Sequence, residues 1–354
     1  MRRHKHGGES VLKTVGKRKM RSCARWALLS WFLLLLACSA DTQDVNEERL
    51  QWISSLFTGV EQHQNFNRAY QVFPTTQLAP SSTPLVFDQG SPSTLPEAFN
   101  FQGEKVLVEE FLSRTDTSAL LILHNSEITY ENYWLSGGED VQWISMSVAK
   151  SFISALLGIA IEQGYINSVN ESVTDYVPQL KNSAYDGVSI KNILQMSSGA
   201  SWNEDYGDPN SDINRSARIL AVGGSLDEFS ASLVNELPPG TYNRYNSTDT
   251  QVLGMLLREA VGRPVSQYMQ EELWSPMGAE SAAYWLLDSE GMEMAYGGLN
   301  ATARDYAKLG ELYRQKGSIN GRQVVPSGWI EASITPDAAH LLPGDNPLSD
   351  FPLG

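Results

Sequence analysis

The sequence predicts an α+β fold, in which a strand pair is followed by mostly helices and no alternating βαβ units occur. Two adjacent strand-like runs share a short polar turn, and five helical segments follow them. The chain has 354 residues, 42% hydrophobic, 10% aromatic and 19% charged. That composition is globular, which excludes a disordered, collagenous or coiled-coil chain, and the length allows a sizeable core.

The elements follow in order. Nine basic residues and one acid, Glu9, precede residue 26, and an apolar run of twelve extends from Trp26 to Ala37. Twelve residues are too few to span a bilayer and suit the h-region of a signal peptide. Met20 begins a neater signal and is the expected true start. Leu35-Leu36-Ala37-Cys38 resembles a bacterial lipobox, with Cys38 acylated and Ser39 favouring the outer membrane. Residues 1–38 are therefore expected to be a signal peptide. Cys23 leaves with it, so no disulfide is expected in the mature chain. Residues 39–100, rich in Ser, Thr, Pro, Asn and Gln, read as a tether and a surface-hugging lead-in. Residues 101–354 form the folded domain.

Within that domain Glu104–Arg114 has helical spacing. Ser118–His124 and Glu127–Trp134 are strand-like, with His124-Asn-Ser-Glu127 supplying the hairpin turn. Ser147–Gln163 is so apolar around its circumference that it must be buried on most sides, and Gly164 stops it. Further helices are expected at Ser189–Met196, Asp249–Val261, Pro264–Trp274 and Ala303–Lys316, the last capped by Thr302 with Asp305 three residues on.

Charge and motif content exclude several functions. A net charge of −15 argues against nucleic acid, which demands a basic footprint. Two cysteines and five histidines (His4, His6, His63, His124 and His340), scattered along the chain, supply neither a zinc site nor a Ser-His-Asp triad. No G-x-S-x-G, P-loop, G-x-G-x-x-G or H-E-x-x-H is present. No metal or cofactor is expected.

The chemistry concentrates in Ser147-Val-Ala-Lys150. A serine hydroxyl needs a base within hydrogen-bond reach, and residues i and i+3 share a helix face. Lys150 is the only charge between Asp140 and Glu162, at the start of a nearly all-apolar helix. Burial would lower its pKa and make it a proton acceptor. The spacing by itself is common, and Ser10-Val-Leu-Lys13 repeats it in the discarded leader. Tyr245, just before a helix, can aim its phenol into a cleft, where a neighbouring ammonium would favour the phenolate and a proton-shuttle role.

Ser147-Val-Ala-Lys150 followed by Tyr245-Asn246-Ser247 resembles the serine β-lactamase and penicillin-binding-protein superfamily, closest to class C β-lactamase-related hydrolases of the esterase and 6-aminohexanoate-dimer-hydrolase branch. Ile193-Leu-Gln-Met-Ser-Ser-Gly199, Trp274-Ser-Pro-Met-Gly278 and Gly297-Gly-Leu-Asn-Ala-Thr-Ala-Arg-Asp305 agree. The resemblance implies an antiparallel sheet with flanking helices and a helical subdomain. It makes Ser147 the acylated nucleophile, Lys150 and Tyr245 the proton relay, and the Ser147 N–H half of an oxyanion hole. Asn246 and Ser247 would line the pocket, and Trp202–Tyr206 would form a cleft wall.

Two departures stand out. The family's Y-[SA]-N reads Tyr-Asn-Ser here, which weakens a β-lactam substrate and favours other esters or amides. The family's third element, a Lys or His followed by Ser/Thr-Gly on a late strand, is not found before Gly354. This leads to the expectation of missing late strands and a piece of a longer reading frame. The expected function is a lipid-anchored envelope serine hydrolase acting on a small-molecule or peptide substrate. Its rival is an inactive envelope binding protein that keeps the fold.

Overall fold

A computed structural model describes residues 47–57 and 62–342. The expected signal segment, Met20, Cys23, Cys38 and residues 343–354 lie outside the described residues. No helix among the described residues is long and apolar enough to cross a membrane.

Short helices α1 (47–54), α2 (Gln62–Phe66) and α3 (Ala69–Val72) lead into strand β1 (Thr75–Leu78). Strands β2 (Asp88–Gln89), β3 (Ala98–Phe101) and β4 (Glu104–Leu107) precede α4 (Val108–Arg114). Next come β5 (Ala119–His124), β6 (Glu127–Tyr133), β7 (Trp143–Ile144) and the long helix α5 (Val148–Glu162). Helices α6 (Ile190–Leu194), α7 (Asp212–Val222), α8 (Leu226–Ala231), α9 (Ser247–Val261) and α10 (Val265–Met269) follow, the last running through a wider turn to Trp274. Strands β8 (Ala283–Leu286) and β9 (Leu299–Ala301), helix α11 (Ala303–Arg314), a small hairpin of β10 (Ser318–Ile319) with β11 (Arg322–Gln323), and α12 (Ser327–Ile334) complete the described chain.

The principal sheet has the antiparallel order β1-β8-β9-β7. The expected hairpin is present as β5–β6, with β2 added in parallel to β6. Asn125 and Ser126 both have positive φ, 51° and 71°, as a two-residue hairpin turn requires. Asn and Ser tolerate that conformation through their short polar side chains.

The lead-in differs from expectation. Its β1 forms an edge of the principal sheet, and Trp52, Ala69, Val72, Phe73 and Leu78 are buried in the core. Apart from α1, these elements are five residues or shorter, so no periodicity announces them. Glu104–Arg114 is likewise not one helix. Gln102 and Gly103, at φ 50° and 87°, turn the chain so that Glu104–Leu107 pairs with Ala98–Phe101, and the helix begins at Val108. Helices α7 and α8 had no counterpart in the sequence reading, although each has a serine N-cap, Ser211 and Ser225.

Helix α5 is the hub. Phe152, Ile153, Ala155, Leu156, Leu157 and Ala160 are fully buried, and α5 packs against α9 and Trp274. Gly164, at φ 79°, ends it. Thr302 caps α11 as expected, accepting from the Asp305 N–H. Helix α9 in turn lies against the chain that enters β9. A Cβ on Gly254 would come within 2.6 Å of the Ala295 Cβ and 3.1 Å of the Met292 Cε. Gly254→Val should therefore overpack this contact and destabilise the fold by about 1–3 kcal/mol, read as a fall in the chemical-denaturation midpoint.

Candidate active site

Ser147 sits at the N-terminal end of α5, where helix geometry leaves backbone N–H groups without intrahelical partners. Its own side chain makes no capping bond, which leaves the hydroxyl available to the cleft. Met146, immediately before it, is held at φ 45°, a left-handed conformation unusual for a non-glycine residue. Behind this turn Ser145 is locked to the β9 strand, its N–H donating to Leu299 O at 2.6 Å and its hydroxyl to Gly297 O at 3.2 Å.

Three side chains converge. Lys150 Nζ lies 3.1 Å from Ser147 Oγ, and the Tyr245 hydroxyl donates to the same Oγ at 2.7 Å. Lys150 also donates to Tyr296 O at 2.9 Å, and its ammonium lies over the Tyr245 and Tyr296 rings, 5.2 and 5.7 Å from their centroids. The Tyr296 carbonyl was not foreseen. It is backbone, and its only advertisement is the Gly-Gly pair that follows it.

Burial pulls the Lys150 ammonium down to about 8, opposed by the negative charge of Glu204. Burial raises the Tyr245 phenol above its ordinary value, with Glu204 adding to the rise and the bond to Ser147 opposing it. The expected phenolate is therefore not favoured. Lys150 lies over the tyrosine ring instead of pairing with its oxygen, and desolvation dominates. The two groups are pushed apart in the sense that separates an acceptor from a donor. Lysine gives up its proton first, and the phenol keeps its own.

Asn246, Ser247 and Trp202 occupy different places from those expected. They are 2%, 1% and 6% exposed and engage protein partners instead of an open pocket. Asn246 is the N-cap of α9, its Oδ1 accepting from the Thr248 and Asp249 N–H groups at 2.8 and 3.3 Å. A helix start needs such an acceptor, and this one is spent on the backbone. Ser247 and Trp202 both bind the carboxylate of Glu204. Glu204 was legible only as part of a polar stretch, and nothing in its spacing marks it as a hub.

Beneath Asn246 lies Asp249, fully buried. Its Oδ1 accepts from Tyr185 Oη (2.9 Å), Ser198 Oγ (2.7 Å) and Asn246 Nδ2 (2.9 Å). Burial pushes its carboxyl up to about 7, against the pull of those donors. Among the described residues no group of three or more His, Cys, Asp or Glu could hold a metal ion.

The beta-lactamase family pattern matches residues 107–348. This chain belongs to the beta-lactamase family. As a member it is 33% identical to the 6-aminohexanoate-dimer hydrolase of Paenarthrobacter ureafaciens over 254 residues, 70% of this chain and 64% of that protein, so it spans less than two thirds of that relative's length. A 6-aminohexanoate-dimer hydrolase homologue from Bacillus anthracis shares the fold with a TM-score of 0.71 at 22% identity, covering 78% of this chain and 75% of the other. A penicillin-binding protein homologue from Caulobacter crescentus does so with a TM-score of 0.52 at 16% identity, covering 69% and 77%. The β-lactamase/transpeptidase-like fold expected from the motifs is thus the fold of this family member.

The raised Asp249 carboxyl has a consequence for stability. Its folded value, about 7, lies above its ordinary 3.8, so the folded state binds the extra proton. Its contribution is full below about pH 4 and is lost as the pH rises through about 7. Asp249→Asn keeps an acceptor at Oδ1 without the charge. Its melting temperature should stay level over this window while that of the wild type declines, as differential scanning calorimetry from pH 4 to 8.5 would register.

Proposed function

We propose that the protein is a serine hydrolase working through an acyl-enzyme on a carbonyl substrate of the amide or ester class. The observation that supports this reading is the meeting of one serine oxygen with an ammonium of lowered pKa and a phenol of raised pKa. With Lys150 neutral, the Ser147 hydroxyl turns its proton toward Nζ and Oγ attacks the carbonyl carbon. Charge develops on the carbonyl oxygen, where the N–H of Ser147 at the helix terminus can meet it. As the C–N or C–O bond breaks, the leaving group takes a proton from the Tyr245 phenol, which recovers one from the Lys150 ammonium. The mirrored sequence with water releases the acid and restores Ser147.

Among substrates, linear amides fit best. The relative from Paenarthrobacter is named for a 6-aminohexanoate dimer, and the burial of Asn246 adds to the departure at Tyr-Asn-Ser that weakens a β-lactam substrate. Ser147→Ala should abolish labelling by a fluorophosphonate probe, and Lys150→Ala should slow it by about 10²–10⁴-fold. Intact-protein mass spectrometry of probe-treated protein reads both, and undiminished labelling of Ser147→Ala would end the proposal.

We propose separately, from the N-terminal sequence, that residues 1–38 carry the chain across the inner membrane and that lipid on Cys38 holds it at the outer membrane. Expressed in a bacterial host, the mature protein should carry an acyl mass that Cys38→Ser loses. A mature chain of unmodified mass would refute the anchor.

A further inference from the structure

The reaction scheme above leaves Glu204 without a task, although it lies beside the machinery. The residue is 6% exposed. Its carboxylate receives four protein donors: Ser247 Oγ at 2.7 Å and Tyr206 Oη at 2.9 Å on Oε1, and the Ser247 N–H at 3.1 Å and the Trp202 indole on Oε2. Four donors from three residues thus converge on one carboxylate. No basic side chain among the described residues is within ion-pair distance of it, and no carboxylate is within that distance of Lys150. A buried anion without a paired cation is costly. Its field reaches Lys150, which is likewise desolvated and without a paired carboxylate.

We propose that Glu204 is a positioning residue for the reaction: it anchors Ser247, and so holds Tyr245 two residues earlier against Ser147, while its buried charge stabilises the Lys150 ammonium. The inference rests on the acyl-enzyme reading of Ser147. Two rings lie against Lys150 from other elements, and the charge of Glu204 acts on it from a third. Tyr245 comes from the loop before α9, Tyr296 from the segment before β9, and Glu204 from the loop before α7. The same charge also raises Tyr206, Tyr245, Tyr296 and Asp249. Of these Asp249, near 7, titrates closest to Lys150.

The hydrogen-bond chemistry separates anchoring from charge. The Oε2 side meets an amide N–H and an indole N–H, which only donate. The Oε1 side meets two hydroxyls, which can also accept. A glutamine with its carbonyl at Oε2 and its amino group at Oε1 keeps all four contacts and loses the charge. An aspartate keeps the charge and, one methylene shorter, cannot span them.

The experiment measures the rate constant of Ser147 phosphonylation by a fluorophosphonate probe on the full chain from pH 5.5 to 10. In Glu204→Gln the rising limb should move to lower pH by about 1 unit, with the high-pH plateau kept to within about threefold. In Glu204→Asp the limb should stay at its wild-type position while the plateau falls. Asp249→Asn should leave the limb where the wild type has it. A merely structural role would lower the plateau in Glu204→Asp alone and move no limb in either variant. Superimposable limbs for wild type and Glu204→Gln, or an equal displacement in Asp249→Asn, would overturn the proposal. If Glu204→Gln does not fold, a wild-type plateau in Glu204→Asp overturns it instead. Wild-type protein that takes no label at any pH refutes the Ser147 reading itself, a result distinct from all of these.

Discussion

An ammonium confined between two aromatic rings, with one serine oxygen and one backbone carbonyl to donate to, is the constraint around which the rest is arranged. Lys150 stands on the first turn of α5, between the buried Ala149 and Phe152 in sequence. The helix is held by α9 on one side, and α9 carries at its N-terminal end the loop that delivers Tyr245. The second acceptor, Tyr296 O, arrives on the strand connection that α9 supports through the close approach at Gly254. Packing between two helices and a strand thereby sets the geometry of the proposed proton relay. A displacement of α9 would move the phenol, the carbonyl and the lysine environment together.

The polar layer under the cleft shows how that geometry is kept. Asn246 and Asp249 close the first turn of α9, Tyr185 and Ser198 bind Asp249, and Glu204 ties Trp202 to Ser247. Asp249 and Glu204 are each fed by donors from different elements, which fixes side chains that would otherwise have rotamer freedom. Residues that motif reading assigned to substrate contact work here as supports. The resemblance identified the right loop and misjudged which of its side chains face outward. Whether a side chain caps a helix or lines a cleft depends on one backbone rotation that the motif does not encode.

The sequence was informative where one strong pattern decided the outcome. The β5–β6 hairpin was readable from its turn, α5 from its uninterrupted apolar character, and the Ser147–Lys150 pair from a solitary charge in an apolar stretch. The principal sheet was much less readable. Its four strands are two to four residues long, come from three distant parts of the chain, and are set by pairings such as Thr76 opposite Trp285. Local periodicity carries no trace of partners 209 residues apart. Glu204 was hidden for the same reason, since its importance comes from Ser247, 43 positions away.

The left-handed backbone at Met146 has a further implication. A glycine would adopt that conformation without steric penalty, so relief of backbone strain lies one residue from the Ser147 hydroxyl. The same change would free the turn that aims Ser147. Backbone relaxation and a fixed serine are therefore opposed at this position, and methionine holds the turn at the cost of a conformation glycine would take freely.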